Sequence, residues 1–226
     1  MEHPLDYPAW NALISGNKNL SLGNEHVKYF HEEVAPFVGL SEQNDYEFEH
    51  LYHIIPPKRR MVIIISKEIE IPKPWTLTEH IKALQMVYTQ NSSPVHATTE
   101  IIPLQIKDVP QMLDLTALTH PGPFLQRTIE FGHYEGILNN GELISMAGQR
   151  MHPEQYVEIS AVCTHPDHHG KGYAGQLIQS QVRSIKANSG VPFLHVKDDN
   201  MEAIRLYKKL GFEVRKQMNI YLFQKD

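Results

Sequence analysis

Residues 158 to 178 read EISAVCTHPDHHGKGYAGQLI, in which an apolar strand pattern leads through a short polar linker into a glycine-rich loop. The loop, residues 169 to 175, opens a helical stripe of apolar residues that continues to Ile185. Glycines at the start of a helix leave backbone amides uncovered, and the helix dipole adds positive potential at the same place. The stretch therefore predicts either a site for a phosphate-bearing ligand or a tight turn between a strand and a helix.

The three glycines of this loop also match the GxGxxG fingerprint of dinucleotide-binding folds, and Asp198 and Asp199 lie near the distance expected for a ribose-binding carboxylate. The polar linker, residues 165 to 169, opposes that interpretation because the fingerprint requires a strand that runs straight into the turn. Too little chain follows the loop to complete a doubly wound sheet. A Walker loop does not fit either, because Gly172 follows Lys171 where a Ser or Thr would reach magnesium.

The patterns on either side of the loop predict a mixed α/β order in the second part of the chain. Asn140-Gly141 is typical of a two-residue hairpin turn, in which both positions need positive φ angles. The other predicted elements are a strand at 98–104, a helix opened by Asp108 and Pro110, strands at 156–164 and 191–196, a helix that Asn200 caps and Gly211 ends, and closing strands within 212–223.

The first part of the chain gives shorter signals. A polar, turn-rich stretch at 90–94 marks a soft boundary, so we expect one module in residues 1 to 95 and a second domain in residues 96 to 226. No motif of the first module carries recognisable chemistry. Its patterns predict a helix at 46–54, before Pro56-Pro57, and apolar runs at 61–65 and 84–88.

Two segments of the sequence resemble the motifs of the GNAT superfamily of N-acetyltransferases. The glycine loop resembles the coenzyme A motif of that superfamily, (Gln or Arg)-x-x-Gly-x-(Gly or Ala), which runs here from His169 to Ala174 with His169 departing from the pattern. The segment from Asn200 to Phe212 resembles the closing helix and strand of the same proteins. The resemblance covers residues 97 to 226 and is closest to the branch that contains glycine N-acyltransferase-like enzymes.

The resemblance implies an α/β protein of the α+β type with the GNAT fold, a mixed and mostly antiparallel central sheet flanked by helices. Residues 1 to 95 are expected to form an attached α/β module, for which a degenerate GNAT-like half is one interpretation. The implied enzyme uses acetyl-CoA, or another acyl-CoA, and moves the acyl group to a primary amine of a small molecule, amino acid or peptide. Direct attack by the amine needs no acyl-enzyme. The alternative is a non-catalytic protein that binds acyl-CoA.

The resemblance also assigns coenzyme contacts to residues of this sequence. It implies that the strand ending at Thr164 splays from its neighbour and that an amide near Val162 faces the thioester oxygen. Asn200 is equally well interpreted as a helix cap, and Cys163 as a small buried apolar residue. The residues expected to bind the coenzyme are Val162, Cys163, Thr164, His169, Gly170, Lys171, Gly172, Tyr173, Ala174, Gly175 and Asn200.

Tyr207 and Glu158 are the catalytic candidates. Tyr207 occupies the position of the family's general acid, and a phenol with an ordinary pKa of about 10 can protonate a thiolate of similar basicity. A core tyrosine is the simpler interpretation. Glu158 lies eleven positions before His169, the interval at which the histone-acetyltransferase branch places its general base, but an ion-pair partner fits the same position. The weaker substitutes for the base are His133, Tyr134 and Glu135.

Composition limits the classes of partner. A net charge of −5 with scattered Lys and Arg gives no basic face for nucleic acid, and the longest strongly apolar run, Met61 to Ile65, is too short to span a bilayer. Without a signal-peptide pattern, we expect a cytoplasmic protein, monomeric or homodimeric, that binds neither nucleic acid nor membrane. A single cysteine cannot form an intrachain disulfide. His165, Asp167, His168 and His169 suggest a metal site, yet no second cluster completes a coordination shell, so no metal is expected.

Overall fold

The computed structural model describes residues 3 to 90 and 98 to 225. The helices in these ranges are α1 (Pro8–Ile14), α2 (Asp45–Ile54), α3 (Val109–Thr119), α4 (Tyr173–Ala187) and α5 (Met201–Lys209). The strands are β1 (Ser21–Gly23), β2 (Val27–Phe30), β3 (Val38–Leu40), β4 (Arg60–Ile65), β5 (Thr76–Tyr88), β6 (Ile102–Pro103), β7 (Glu135–Asn139), β8 (Glu142–Gln149), β9 (Tyr156–Thr164), β10 (Val191–Lys197) and β11 (Phe212–Gln224).

Eight of these strands form one mixed sheet in the order β4-β11-β5-β10-β9-β8-β7-β6. The pair β9 and β10 is parallel, and the other neighbouring pairs of described strands in this sheet are antiparallel. A separate three-stranded sheet has the order β1-β2-β3. The expected α/β class, with a mixed and mostly antiparallel central sheet flanked by helices, is confirmed.

Strand β5 lies between β10 and β11 and pairs antiparallel with both. It belongs to the part of the chain for which the sequence predicts a separate module, and the apolar run at 84–88 is only its last third. Strand β4, from the same part of the chain, extends the sheet by pairing with β11. The central sheet therefore continues across the boundary expected at residues 95 and 96, whereas the small sheet lies wholly within the first part.

Helices cover both faces of the eight-stranded sheet. Helix α4 packs a buried apolar stripe from Leu177 to Ile185 on β8, β9 and β10, as its sequence period predicts. Helix α3 packs on β8 and β9 through Met112 and Leu115, which lie in another cluster with Met146 and Cys163. Enclosure on both faces explains the nearly continuous apolar sequence of β9. No helix in the described ranges combines the length and apolar character that a membrane crossing needs.

Several local predictions are confirmed. The hairpin between β7 and β8 turns at Asn140 and Gly141, which have φ angles of 51° and 86°. Gly211, after α5, has a φ of 100°, as expected for the left-handed residue that ends a helix. Strand β9 occupies the predicted range 156–164.

Two local predictions differ from the structure. Of the strand expected at 98–104, only Ile102–Pro103 pairs with β7, while the amides of Thr98 and Thr99 donate to the Gln176 side chain of α4. Asp108 precedes α3 as predicted, but its carboxylate accepts a hydrogen bond from the Gln105 amide at 2.8 Å instead of capping the helix. The Asp108 side chain thus stabilises the short 3₁₀ helix, Ile106–Asp108, that precedes α3.

Candidate active site

Strands β9 and β10 run side by side only at their first residues. Their parallel register ends where Glu158 pairs with Phe193. Beyond that pair β9 continues to Thr164 and β10 to Lys197 without pairing with each other, so the two strands diverge and leave an opening in the sheet. The splay that the resemblance implies is present.

Strand β9 is irregular beside this opening. Its register against β8 shifts between Met146 and Gly148, and Ala161, on the other side of the shift, has a positive φ of 52°. Such an angle is uncommon for a residue other than glycine, and a bulge redirects the backbone groups of the residues around it. Val162, the residue whose amide is expected to face a thioester oxygen, comes directly after Ala161.

The glycine loop presents a row of free backbone amides. Gly170 and Gly172 have φ angles of 75° and 77°, and a Cβ atom at either position would meet nothing within 4 Å. The first backbone hydrogen bond of α4 is donated by Gln176 to the Gly172 carbonyl. Within the described residues, the amides of residues 170 to 175 have no protein acceptor. The loop therefore has free amides at the positive end of α4, as an anion site needs, and its binding of a phosphate stays a prediction.

The unusual His169 closes this loop. Its ring Nε2 lies 2.8 Å from the Thr164 carbonyl oxygen at the end of β9, so that nitrogen carries the proton. Lys171 places its Nζ 3.2 Å from the Nδ1 of His168 and is exposed. His169 thus joins the two ends of the connection between β9 and α4, a contact that explains its place in the loop.

The end of β9 directs successive side chains to different surroundings. Val162 is half-buried beside the residues of α4, whereas Cys163 is buried on the opposite face, where burial raises the pKa of its thiol to about 11. The Thr164 hydroxyl lies 2.7 Å from the Ser145 hydroxyl of β8. Cys163 therefore has the environment of a small buried apolar residue, and its side chain is not a candidate nucleophile.

Glu158 forms a buried ion pair. Its side chain has no exposed surface, and its two oxygens accept hydrogen bonds from Arg150 Nη2 at 2.6 Å and Nε at 2.8 Å. His195 Nδ1 donates to the same carboxylate at 2.7 Å. Burial by itself raises the pKa of Glu158, but the Arg150 guanidinium and His195 outweigh it and bring the pKa down to about 2.

The sequence did not reveal Arg150 and His195 as partners of Glu158. Arg150 faces Glu158 across the turn between β8 and β9, and its amide donates to the Glu158 carbonyl at 3.0 Å. Opposite charges that straddle a hairpin are the signal that could have identified it. His195 lies on β10 and meets Glu158 only through the parallel register of β9 and β10, for which a single sequence offers no signal.

The second predicted motif is built around α5. The Asn200 side chain accepts a hydrogen bond from the Ala203 amide at 3.1 Å, which confirms the cap, while its contact with a coenzyme stays a prediction. Tyr207 is half-buried against the cluster that contains Leu194 and Phe212, and its hydroxyl has no hydrogen-bond partner within the described residues. Burial raises the pKa of Tyr207 to about 12, so the phenol keeps its proton at neutral pH.

The weaker candidates lie on β7 or just before it. His133 is exposed, and burial raises the pKa of the neighbouring Tyr134 phenol. Glu135, on β7, accepts hydrogen bonds from Ser180 and Gln181 of α4. These contacts tie β7 to α4, and burial raises the pKa of Glu135 above its ordinary value.

The histidines of the polar linker have structural contacts. His165 Nδ1 accepts a hydrogen bond from the Asp167 amide at 3.3 Å, and the rings of His165 and His168 have centroids 5.9 Å apart. In the described part of the chain, no three His, Cys, Asp or Glu side chains are grouped as a metal ion requires.

Comparisons with known proteins agree with this geometry. The model of a family described as FR47-like protein matches residues 134–221. The N-alpha-acetyltransferase RimI of Mycobacterium tuberculosis is 32% identical over 85 residues, which are 36% of this chain and 52% of that protein. The chain thus spans about half the length of this curated relative.

Solved structures extend the comparison to the whole chain. An acetyltransferase of the GNAT family from Novosphingobium aromaticivorans is 30% identical, with both chains covered in full and a TM-score of 0.92. A GCN5-related N-acetyltransferase from Kribbella flavida, 12% identical over 97% of this chain and 96% of its own, has a TM-score of 0.63 and supports the fold alone. The narrower resemblance to glycine N-acyltransferase-like enzymes stays a prediction. The chain belongs to the GNAT family of acetyltransferases.

Proposed function

We propose that this chain transfers an acetyl group, or another acyl group, from acyl-CoA to the nitrogen of a primary amine. One observation carries the proposal: the opening between β9 and β10 lies along the last part of β9, which a five-residue linker, residues 165 to 169, joins to the free amides of residues 170 to 175. A site that combines an anion cradle with an adjoining slot suits a ligand that has a pyrophosphate and a long, flexible thioester arm.

The residues of the site fit such a ligand. The amides of residues 170 to 175 would hold the pyrophosphate, because they have no acceptor in the part of the chain that the structure describes and lie at the positive end of α4. The diverging edges of β9 and β10 offer unpaired backbone groups to the amides of the pantetheine arm. When bound, the coenzyme supplies an activated thioester. The Val162 amide, beside the bulge at Ala161, would donate a hydrogen bond to the oxyanion that develops.

In the proposed step the amine nitrogen attacks the thioester carbonyl carbon, the new C–N bond forms and the C–S bond breaks. The departing thiolate takes the phenolic proton of Tyr207, which leaves a phenolate. The proton lost by the amine nitrogen returns the phenolate to its neutral form, directly or through water. Tyr207 is available for this role because its hydroxyl is not committed to another described residue. Burial raises its pKa to about 12, which keeps it protonated but makes it a weaker acid than an ordinary phenol, so the transfer must be aided by the amine proton that follows.

Glu158 as the general base stays a prediction, and its contacts weigh against direct proton transfer from the amine. A carboxylate with a pKa of about 2 has little affinity for a proton at neutral pH, and both of its oxygens are engaged by Arg150 and His195. In our proposal the amine therefore reacts in its neutral form, after its ammonium proton has passed to water. The buried carboxylate serves to hold the ends of β9 and β10 together.

The comparisons suggest one class of amine acceptor to test, and the chemistry of the site admits others. Because the Mycobacterium tuberculosis relative is an N-alpha-acetyltransferase, we include the α-amino group of a peptide among the acceptors to be tested. Free amino acids, a small diamine and a peptide with a lysine side chain but an acetylated N-terminus complete the panel. We expect thiol release with at least one of them.

The test has two stages. Acetyl-CoA at 100 times its Kd should stabilise the fold by about 2.7 kcal/mol, which is a rise of several degrees in Tm. Free thiol is then measured with acetyl-CoA and each acceptor, with the acceptor omitted as the control. Stabilisation without thiol release from any acceptor would favour a non-catalytic acyl-CoA-binding protein. Absence of both stabilisation and thiol release contradicts the proposal.

A further inference from the structure

A row of hydrogen-bonded polar side chains crosses four strands of the sheet at the point where β9 and β10 separate. Glu158 and Gln85 have no exposed side-chain surface in this row, and the His195 side chain is 4% exposed. Polar groups so deeply buried are costly unless each is paired, so the row is a built feature of the fold. Its members are Arg150, Glu158 on β9, His195 on β10, Gln85 on β5, Arg215 on β11 and Asp6.

The direction of every hydrogen bond at its centre is determined by the neighbours. The Gln85 carboxamide oxygen accepts from Arg215 Nε, and its nitrogen donates to the Leu5 carbonyl at 2.9 Å, so the amide can have only one orientation. That nitrogen also lies 2.9 Å from Nε2 of His195, which must therefore accept. The proton of a neutral His195 ring is consequently on Nδ1, from which it is donated to Glu158 at 2.7 Å.

This last bond stands where the backbone pairing stops. Glu158 belongs to the final parallel pair, with Phe193, and His195 is the next residue of β10 on the same face of that strand. From this point the two strands have no register with each other. The side-chain bond from His195 to Glu158 is therefore a tie between β9 and β10 at the narrow end of the opening.

We propose that His195 is a positioning residue for acyl transfer: through its Nδ1 bond to Glu158 it fixes the width of the opening in which the thioester arm is held. This inference rests on the proposed function, because the opening matters to catalysis only if acyl-CoA occupies it. Arg150 holds Glu158 from the other side, and Gln85 sets the tautomer that lets His195 donate.

Two amide substitutions at position 195 distinguish the effect of the bond to Glu158 from the effect of the bond to Gln85. In His195→Asn the side-chain nitrogen can take the place of Nδ1, so the donor to Glu158 is kept and the bond to Gln85 is lost. In His195→Gln the longer amide reaches the place of Nε2, so the bond with Gln85 is kept and the tie is lost. Each variant forfeits one buried hydrogen bond, and His195→Gln should show the larger fall in Tm, because the bond to the carboxylate is charge-assisted and the bond to Gln85 is neutral.

Only the variant that loses the hydrogen bond between His195 and Glu158 should bind acetyl-CoA more weakly. We expect His195→Gln to raise the Kd and the KM for acetyl-CoA about tenfold, the size of effect that one charge-assisted hydrogen bond can have, while His195→Asn stays within about threefold of the wild type. Equal weakening by the two variants, or no weakening by either, overturns the positioning role. A wild-type protein that does not bind acetyl-CoA would instead contradict the proposed function.

A measurement on the wild-type protein covers the case in which a variant does not fold. In protein with ¹⁵N-labelled histidine rings, His195 should give the signals of a ring protonated on Nδ1, with the assignment made by comparison with whichever variant is soluble or with Gln85→Met. Its Nδ1 proton should shift when acetyl-CoA is added and stay in place when the acceptor alone is added. A ring protonated on Nε2, or a signal unmoved by acetyl-CoA, contradicts the inference.

Discussion

Replacing Arg150 by methionine should destabilise the protein far more than loss of an ordinary ion pair. The carboxylate of Glu158 is fully buried, and its pKa of about 2 lies well below the ordinary 4.5, a displacement that corresponds to about 3 kcal/mol of stability at pH 7. Methionine preserves an apolar contact with Phe37, whose ring centroid lies 4.5 Å from the guanidinium carbon, so packing is largely retained. We expect Arg150→Met to lower the free energy of unfolding by at least about 3 kcal/mol, since the variant leaves a buried charge without its main partner.

The pH dependence of this loss gives a second signature. In the wild type the lowered pKa of Glu158 contributes stability that is fully present above about pH 4.5 and is lost as the pH falls towards 2. In Arg150→Met we expect burial to outweigh the remaining His195 bond and to raise the pKa of Glu158 above its ordinary value. The folded variant then takes up a proton before the unfolded chain does, so its stability increases as the pH falls from 7 to 5. The difference between wild type and variant should narrow by about 1 kcal/mol over this range.

The assay is urea unfolding followed by circular dichroism at pH 7 and pH 5, with Arg127→Met as the matched control. Arg127 pairs with Glu130 at 2.5 Å, but its side chain is 42% exposed, so its loss should cost less than about 1 kcal/mol at either pH. If Arg150→Met costs no more than Arg127→Met, or if its deficit is the same at both pH values, then Glu158 is not the buried, Arg-dependent carboxylate described above.

Two further predictions concern the coenzyme site and the acid. Gly172→Ala and Gly141→Ala both place a methyl group at a positive φ with free space around it, so each should cost about 1 kcal/mol of stability, but only Gly172→Ala should raise the Kd for acetyl-CoA, about tenfold, by titration calorimetry. Equal Kd values in the two variants would show that the loop does not hold the pyrophosphate. Tyr207→Phe should lower kcat about 100-fold in the thiol-release assay with little change in coenzyme affinity, whereas Tyr88→Phe, which removes a hydroxyl from the same cluster, should leave kcat near the wild-type value. Equal loss of kcat and affinity in Tyr207→Phe contradicts the acid role.

The parts of the fold that the sequence predicts well are those set by short-range rules. The hairpin at Asn140 and Gly141, the stripe of α4 and the Asn200 cap each depend on residues within one or two turns of one another. The position of β5 in the sheet, by contrast, is set by contacts between residues that are far apart in the sequence. This position depends on which strand edges meet after the chain has folded. The apolar pattern of residues 84 to 88 is the same whether they form part of a separate sheet or lie between β10 and β11.

In the candidate site, too, the sequence predicts the local features and misses those set by contacts between distant residues. The glycine loop is a local motif, and both its helical start and its free amides follow from three glycines and the stripe behind them. The spacing from His169 identified Glu158 as a notable residue but could not show what surrounds it. Its burial and its bonds to Arg150 and His195 depend on strand register. They show that the carboxylate predicted as a base is a buried ion-pair partner with a lowered pKa.

The position of β5 has a consequence for the order in which the fold can form. Tyr88 at the end of β5 pairs with Phe212, so the backbone groups of β5 that face β11 must remain unsatisfied, or be paired elsewhere, until the chain beyond Lys209 has been synthesised. A chain released before that point would carry a long unpaired strand edge, which is a template for association with other chains. Nascent protein should therefore be prone to association until β11 has been synthesised, and splitting the chain between β5 and β6 should yield two fragments that fold only together.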